Sequence, residues 1–304
     1  MKKINYYLTL LLVLFTTIFS FFNMFKIVTL SKDIILIVFN NLLPSLLPFM
    51  ILISLCSSFG LINIFNYIIQ WFFCPLFHLT PIMSSLYFIS FFCGYPTNVK
   101  MIKESYELGY ISLSQLQHLL SIASFSSISF IFISLKLDFH TSFLIYISHI
   151  LPSIIKALFY KQDYQYQTLQ QTIESLQDPH SIIKSFKKSI TSSLYAFIFI
   201  LGYMLVFQFV SYSLSFFIHD SFLLSIIQGI LEFSSGCMKI LQFNHFLVYP
   251  FLGFFLSFSS LSVFMQVDNL LEDIPYSFKV YFKDRLFHGI CSFLIIFLYQ
   301  LLTF

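Results

Sequence analysis

Residues 34–99 read IILIVFNNLLPSLLPFMILISLCSSFGLINIFNYIIQWFFCPLFHLTPIMSSLYFISFFCGYPTNV, without one Lys, Arg, Asp or Glu. This charge-free run of 66 residues is too long for one membrane crossing, which takes about 20 apolar residues. It is also too apolar for a soluble domain. Helix breakers and polar residues interrupt it: Asn40, Asn41, Pro44, Pro48, the Cys56-Ser57-Ser58-Phe59-Gly60 stretch, Pro75, Pro81, and Cys93-Gly94-Tyr95-Pro96-Thr97-Asn98. The run therefore holds several elements in or on a bilayer, and some are not simple spans. Broken helices and re-entrant hairpins at membrane depth belong mainly to transporters and channels, where they line a cavity.

Composition agrees with a membrane chain. Of 304 residues, 58% are hydrophobic and 10% charged, and the mean hydropathy is +0.86. A soluble domain carries about 25% charged residues, so no sizeable soluble domain is expected. The net charge of +3 gives no basis for a nucleic-acid partner. No nucleophile–base set, phosphate loop or dinucleotide fingerprint is present, which argues against an enzyme and against a cofactor. Cys56, Cys74, Cys93, Cys237 and Cys291 lack metal-ligand or redox spacing and read as packed free thiols. The first apolar run, Ile4 to Phe25, follows Lys2 and Lys3. It exceeds the about 7–15 residues of a signal-peptide core and reads as a retained transmembrane helix.

Charge-free windows and breakers give a layout for an all-α polytopic membrane protein. Spans are expected at 5–24, 34–57, 112–136, 139–160, 190–217 and 280–303. A short interfacial helix is expected at 61–79, with Trp71 and Phe72 as belt aromatics. A re-entrant hairpin is expected at 81–109. In the second half, a short element at 221–243, broken near Ser234-Ser235-Gly236, precedes a second hairpin at 245–273 with its tip at 257–262. Residues 161–188 form a polar loop. The pattern divides into an N-terminal helix (1–33), a first repeat (34–137), a connecting span and cytoplasmic loop (138–189) and a second repeat (190–304). Placing Lys2 and Lys3 inside makes the second hairpin open from outside, which gives inverted repeats. That arrangement leaves Lys279, Lys283 and Arg285 on the outer side, against the positive-inside rule.

Candidate binding residues follow from the breaks. A broken helix leaves free N–H groups at a positive dipole end, suited to a carboxylate. The first tip offers Gly94, Tyr95, Thr97 and Asn98. The Ser-rich centre of 112–136 offers Ser126 and Ser127, and the second tip offers Ser260 and Ser262, with Gln266 beyond it. Lys100 and Arg285, the one arginine in the chain, are candidate anion partners. Glu232 and Asp268 are candidates for ion coupling, because an ionisable group in an apolar segment is costly and usually functional. His149, just before Leu151-Pro152, reads as a packed, hydrogen-bonded side chain. No metal ligand set is expected.

Three stretches carry a resemblance. Pro44-Ser45-Leu46-Leu47-Pro48-Phe49, Pro75-Leu76-Phe77 and Gly94-Tyr95-Pro96-Thr97-Asn98-Val99-Lys100 resemble the YlbJ or SpoVV family of sporulation integral membrane proteins. That family belongs to the nucleoside-recognition or Gate-domain group, related to concentrative nucleoside transporters. Gly229-Ile230-Leu231-Glu232-Phe233-Ser234-Ser235-Gly236, Leu261-Ser262-Val263-Phe264-Met265-Gln266-Val267 and Arg285 match it in the second half. The resemblance spans roughly residues 34–300. It implies two inverted repeats and passage of dipicolinate, a small organic anion, across the mother-cell-derived membrane of a developing spore. It also allows other sporulation membrane proteins, or a second copy, as partners. Where the family pattern has paired glycines at the second tip, this chain has Ser259-Ser260. A non-transporting scaffold and a nucleoside-type transporter are the competing functions.

Overall fold

The computed structural model describes residues 2–174 and 182–303. Every regular element among them is helical: α1 (Lys2–Phe22), α2 (Met24–Ile37), α3 (Leu43–Ser58), α4 (Ile62–Phe77), α5 (Pro81–Ser90), α6 (Thr97–Glu107), α7 (Leu113–Ile122), α8 (Phe139–Leu158), α9 (Leu169–Glu174), α10 (Ile182–Leu214), α11 (Ser221–Leu231), α12 (Phe233–Ile240), α13 (Val248–Phe258), α14 (Ser260–Leu270) and α15 (Phe278–Thr303). Two π-helical turns, at Val38–Leu42 and Phe130–Ser134, lie between α2 and α3 and after α7. Side-chain caps set several helix starts. Thr80, Asp138 and Asp220 accept the backbone N–H groups of Met83, Thr141 and Leu223. Ser112 and Gln115 form a reciprocal capping box ahead of α7.

Among the described residues, five helices are long and apolar enough to cross a membrane: Met24–Ser58, Phe139–Leu158, Ile182–Leu214, Val248–Leu270 and Phe278–Thr303. This is the make-up of a multi-pass membrane protein. The protein interior covers 72% of the best apolar window of Val248–Leu270, but 28% of Met24–Ser58 and of Phe278–Thr303. The first is therefore the central span, and the other two turn most of their apolar surface outward, as lipid contact requires. α4 and α5 meet at 94°, so this pair bends sharply at Thr80.

Contacts fix the direction of each element. Ser58 and Ser189 touch at one end of the α3–α10 pair, and the Tyr212 hydroxyl bonds Asn23 at the other, so α10 runs antiparallel to α2–α3. An ion pair of 2.5 Å joins Lys156 to Asp284, and Tyr299 meets His140, so α8 and α15 are antiparallel. Phe251 of α13 packs on Phe222, while Asn269 and Leu270 at the end of α14 face Lys103 and Glu107 of α6. Followed back from Asn23, α1 meets α10 ever closer to its C-terminal end, at Tyr212, Phe216 and Phe217. It thus runs on from α2 rather than folding back beside it.

The second half differs from the sequence layout by one element. Residues 245–273 are not a hairpin: α13 and α14 continue in one direction as a span broken at Ser259. The hairpin is α11–α12, and it breaks at Glu232 rather than at Ser234-Ser235-Gly236. Its arms touch at Gly229 and Gly236. A Cβ on Gly236 would lie 2.2 Å from the Gly229 Cα, so only glycine permits this approach. A short interfacial-type helix, α4, is seen in the first half alone among the described residues. The loop expected at 161–188 carries α9 and is helical again from Ile182, and its residues 175–181 lie outside the described set. The side chains of Lys2 and Lys3, used to orient the chain, also lie outside it.

The shift removes the charge conflict. Because α13–α14 crosses, the start of α15 returns to the end that carries α6, the end of α8 and the start of α10. Lys279 and Lys283 then share that end with Lys100, Lys103, Lys156, Lys161, Lys184, Lys187 and Lys188. Lys26, Lys32, Lys136 and Lys239 belong to the opposite end. Cysteines introduced at the exposed Tyr110 and Lys279 are expected to react with an impermeant thiol reagent from the same face of sealed vesicles, and one at Asp220 from the other face. Opposite faces for Tyr110→Cys and Lys279→Cys would restore the second hairpin.

Candidate functional site between two broken spans

α7 ends at Ile122, and residues 123–127 are unwound before the chain coils again. At a helix break the last carbonyls and the next N–H groups lose their partners. Side chains from other elements take them up. The Arg285 guanidinium donates to the carbonyls of Ser121, at 2.9 Å, and of Ser124, and also meets His288 Nδ1. Ser153 donates to the Ile122 carbonyl. The Asn98 amide donates to the Ala123 carbonyl at 2.7 Å. The Ser126 N–H donates to His149 Nε2 at 3.0 Å, and Ser127 Oγ accepts the Phe130 N–H at 3.2 Å.

The second broken span leans on the first. The Ser126 hydroxyl donates to the Leu256 carbonyl at 3.1 Å, and Ser257 Oγ lies 2.9 Å from His149 Nδ1. Ser259 and Ser260 carry the break with φ of +83° and +77°. This left-handed backbone favours glycine. The Ser259 hydroxyl donates to the Tyr95 hydroxyl at 2.7 Å. The first tip thus touches residue 259, which belongs to a broken span and not to a hairpin tip. Gly94 seats the tip on the other break: a Cβ there would lie 2.5 Å from the Ser127 backbone nitrogen.

The second tip has its own device. Glu232 is buried and caps α12, its two carboxylate oxygens accepting the N–H groups of Ser234, at 3.0 Å, and Ser235, at 2.7 Å. Both tips, the α7 break and α14 then meet at one cavity. Gly94 and Tyr95 come from the first tip, Ser126 and Ser127 from the α7 break. Glu232, Phe233 and Ser234 come from the second tip, and Val263 and Gln266 from α14. Leu42, Leu46, Phe130 and Ile200 complete the walls. The cavity has about 20 Å³ for a water-sized body, enough for about one water. Its lining is mostly apolar, with Tyr95, Ser126, Ser127, Glu232, Ser234 and Gln266 set into it. Gln266 also lines a larger vestibule of about 390 Å³ between α6, α10 and α14, where Lys100, Lys103, Glu104 and Tyr203 face it.

Six candidates from the sequence therefore meet at the cavity: Gly94, Tyr95, Ser126, Ser127, Glu232 and Gln266. Lys100 stands in the vestibule, donating to Ser192 at 2.7 Å and facing Glu104 at 3.8 Å. The rest are elsewhere. Arg285 is buried with its fork on backbone carbonyls, so it is a cap for α7 and not a carboxylate receptor at the cavity. Asn98 likewise serves the α7 break. Thr97 is buried and lines a gap against α3 with Met50 and Ile53. Ser260 and Ser262 hydroxyls bond each other at 3.0 Å. Asp268 is exposed and accepts from Tyr276 at 2.7 Å, which removes it from any buried coupling site. Sequence reading missed the apolar wall from Leu42, Leu46 and Ile200, because these residues are three among dozens of similar ones. Ser234 was available as the neighbour of Glu232. No family model, curated protein or solved structure matches the chain.

Two substitutions test this assignment. Gly94→Ala drives a methyl into the Ser127 backbone, and overpacking of this kind costs about 1–3 kcal/mol. Gly202, a helical glycine with nothing within 4 Å of its would-be Cβ, is the control, where alanine gains up to about 1 kcal/mol. Thermal unfolding in detergent is expected to separate them in opposite directions. Arg285→Gln is expected to lower thermal stability, since buried bonds from a charged donor are worth about 1.5–3 kcal/mol each. Arg285→Lys recovers part by reaching one carbonyl. An Arg285→Gln protein as stable as wild type, but unable to bind an anion, would return Arg285 to the ligand.

Proposed function

We propose that the chain is a membrane transporter or facilitator for a small organic anion, working by alternating access. The observation that carries this reading is the meeting of two hairpin tips and two broken spans at one small buried cavity. Gln266 lines both this cavity and the larger vestibule, which supports a carrier whose small inner site adjoins an open chamber. Transporters place their sites where discontinuous helices meet near the membrane centre.

The order of elements supports two inverted repeats. α3, the α5–α6 hairpin, the broken α7 span and α8 correspond to α10, the α11–α12 hairpin, the broken α13–α14 span and α15. Each member of the second set runs opposite to its counterpart. The lysine-rich end is assigned to the cytoplasm by the positive-inside rule, which makes the vestibule cytoplasmic. Lys100, Lys103 and, in the adjoining chamber of about 440 Å³, Lys188 favour anions there by electrostatic focusing. A vestibule of this volume falls within the range of small-molecule sites, about 300–1,000 Å³. Dipicolinate, the solute implied by the family resemblance, is the first candidate. The mother-cell-derived membrane of a developing spore is the corresponding location. Glu232 in the cavity wall adds a condition: an anion beside a carboxylate needs positive charge to travel with it.

Uptake of labelled dipicolinate into proteoliposomes carrying the full chain tests the reading, with empty vesicles as baseline. Gln266→Leu is expected to weaken apparent affinity roughly two- to tenfold, the effect of losing one hydrogen bond of about 0.5–1.5 kcal/mol. Lys100→Gln is expected to slow uptake, with the largest effect at low salt. No uptake above baseline by the wild-type protein overturns dipicolinate transport.

A further inference from the structure

His149 lies on α8 where the two broken spans touch, with both ring nitrogens engaged. Nε2 accepts the Ser126 N–H, so that nitrogen carries no proton. Nδ1 then holds the ring hydrogen and donates it to Ser257 Oγ. The ring is a neutral bridge from one break to the other, and Ser126 is part of the cavity wall. A second proton has one place to go, Nε2, and there it removes the acceptor and sets two N–H groups against each other.

The surroundings form a polar chain that the cavity does not use. Arg285 and His288 of α15 lie within electrostatic reach of the ring, and Lys156 lies within reach of His288. The α7 break and α13 face it with Phe125, Ser126 and Ser257. Near the vestibule end, Asp284 Oδ2, His118 Nε2, Arg285 Nε and His288 Nε2 are buried polar atoms without a hydrogen-bond partner. Asp284, paired with Lys156, is partly exposed. Three titratable groups, Asp284, His118 and His288, thus lie between the partly exposed ion pair and His149.

We propose that His149 is a proton-binding site whose occupation releases the contact between the two broken spans and opens the cavity, making the proton the ion that accompanies the solute. This rests on the transport reading. It supplies the positive charge that Glu232 makes necessary. Coupling is reciprocal: an anion in the cavity offsets the field of Arg285 and eases protonation of His149, and a protonated His149 favours the anion.

A reporter cysteine at Ser127, with the native cysteines replaced, reads the opening without any solute. In proteoliposomes of the full chain, its labelling by an impermeant thiol reagent, divided by that of a cysteine at the exposed Tyr110 at the same pH to cancel thiolate titration, is expected to rise as pH falls from 8 to 5. The slope below the onset is roughly tenfold per pH unit, that of one proton. In His149→Gln the amide accepts from Ser126 and donates to Ser257 but cannot take a proton, so labelling is expected to stay low at every pH. A flat profile in the protein with His149 intact overturns the proposal, whether or not His149→Gln folds. So does an unchanged slope in His149→Gln. Labelled dipicolinate uptake in vesicles without the reporter judges the transport reading separately. Uptake with a flat labelling profile refutes the proton site alone. A steep, His149-dependent profile without uptake supports the proton site and refutes that solute.

Discussion

Inside a bilayer, every backbone N–H and C=O must find its partner within the protein, and this chain interrupts its helices at membrane depth in at least three places. The rest of the structure follows from how those interruptions are satisfied. Arg285 and Ser153 take the carbonyls at the end of α7, Asn98 takes the next, His149 takes the Ser126 N–H, and Glu232 takes the two free N–H groups of α12. Each of these side chains comes from an element other than the one it serves, except Glu232. The breaks are therefore also the joints of the tertiary structure. Removing one partner strands a buried polar group and loosens two helices at once.

This division of labour narrows the site. A polar residue in an apolar chain suggests a ligand contact, but most polar side chains near the breaks are already committed to the backbone. What faces the cavity is the Gly94–Tyr95 tip, the Ser126–Ser127 part of the α7 break, Glu232 and Ser234 of the second tip, and Gln266, several of them also holding a backbone or neighbour bond. Only Gln266 reaches both the cavity and the vestibule. That position makes it the point through which a solute passes from the open to the closed compartment in the proposed cycle.

Much of the first half was legible in the sequence. The charge-free run, its prolines and the Gly94–Asn98 breaker place the first hairpin and the unwound serines near their observed positions, because breakers are rare against a uniform apolar background. The second half misled for the same reason. Ser257–Ser262 is the richest polar cluster there and reads as a tip, yet serines in a membrane helix bond their own backbone or a neighbour. Ser259 and Ser260 only interrupt a helix that keeps its direction. The true tip is marked by one residue, Glu232, whose carboxylate replaces the missing helical turn. The lysines at 279 and 283 held the correction, since their conflict with the charge rule disappears once α13–α14 crosses. The function of Arg285 was not legible, because a guanidinium suits a substrate carboxylate and a pair of peptide carbonyls equally well.

The claim on which the account turns is that the α7 break and the second hairpin tip share one compartment. Cysteines at Ser127 and Phe233, which line the same cavity, measure this directly in native membranes with a short bifunctional thiol reagent. The account predicts efficient bridging within one chain, slowed when dipicolinate is present. Two cysteines that each react singly and never bridge would place the tips in separate compartments and contradict it.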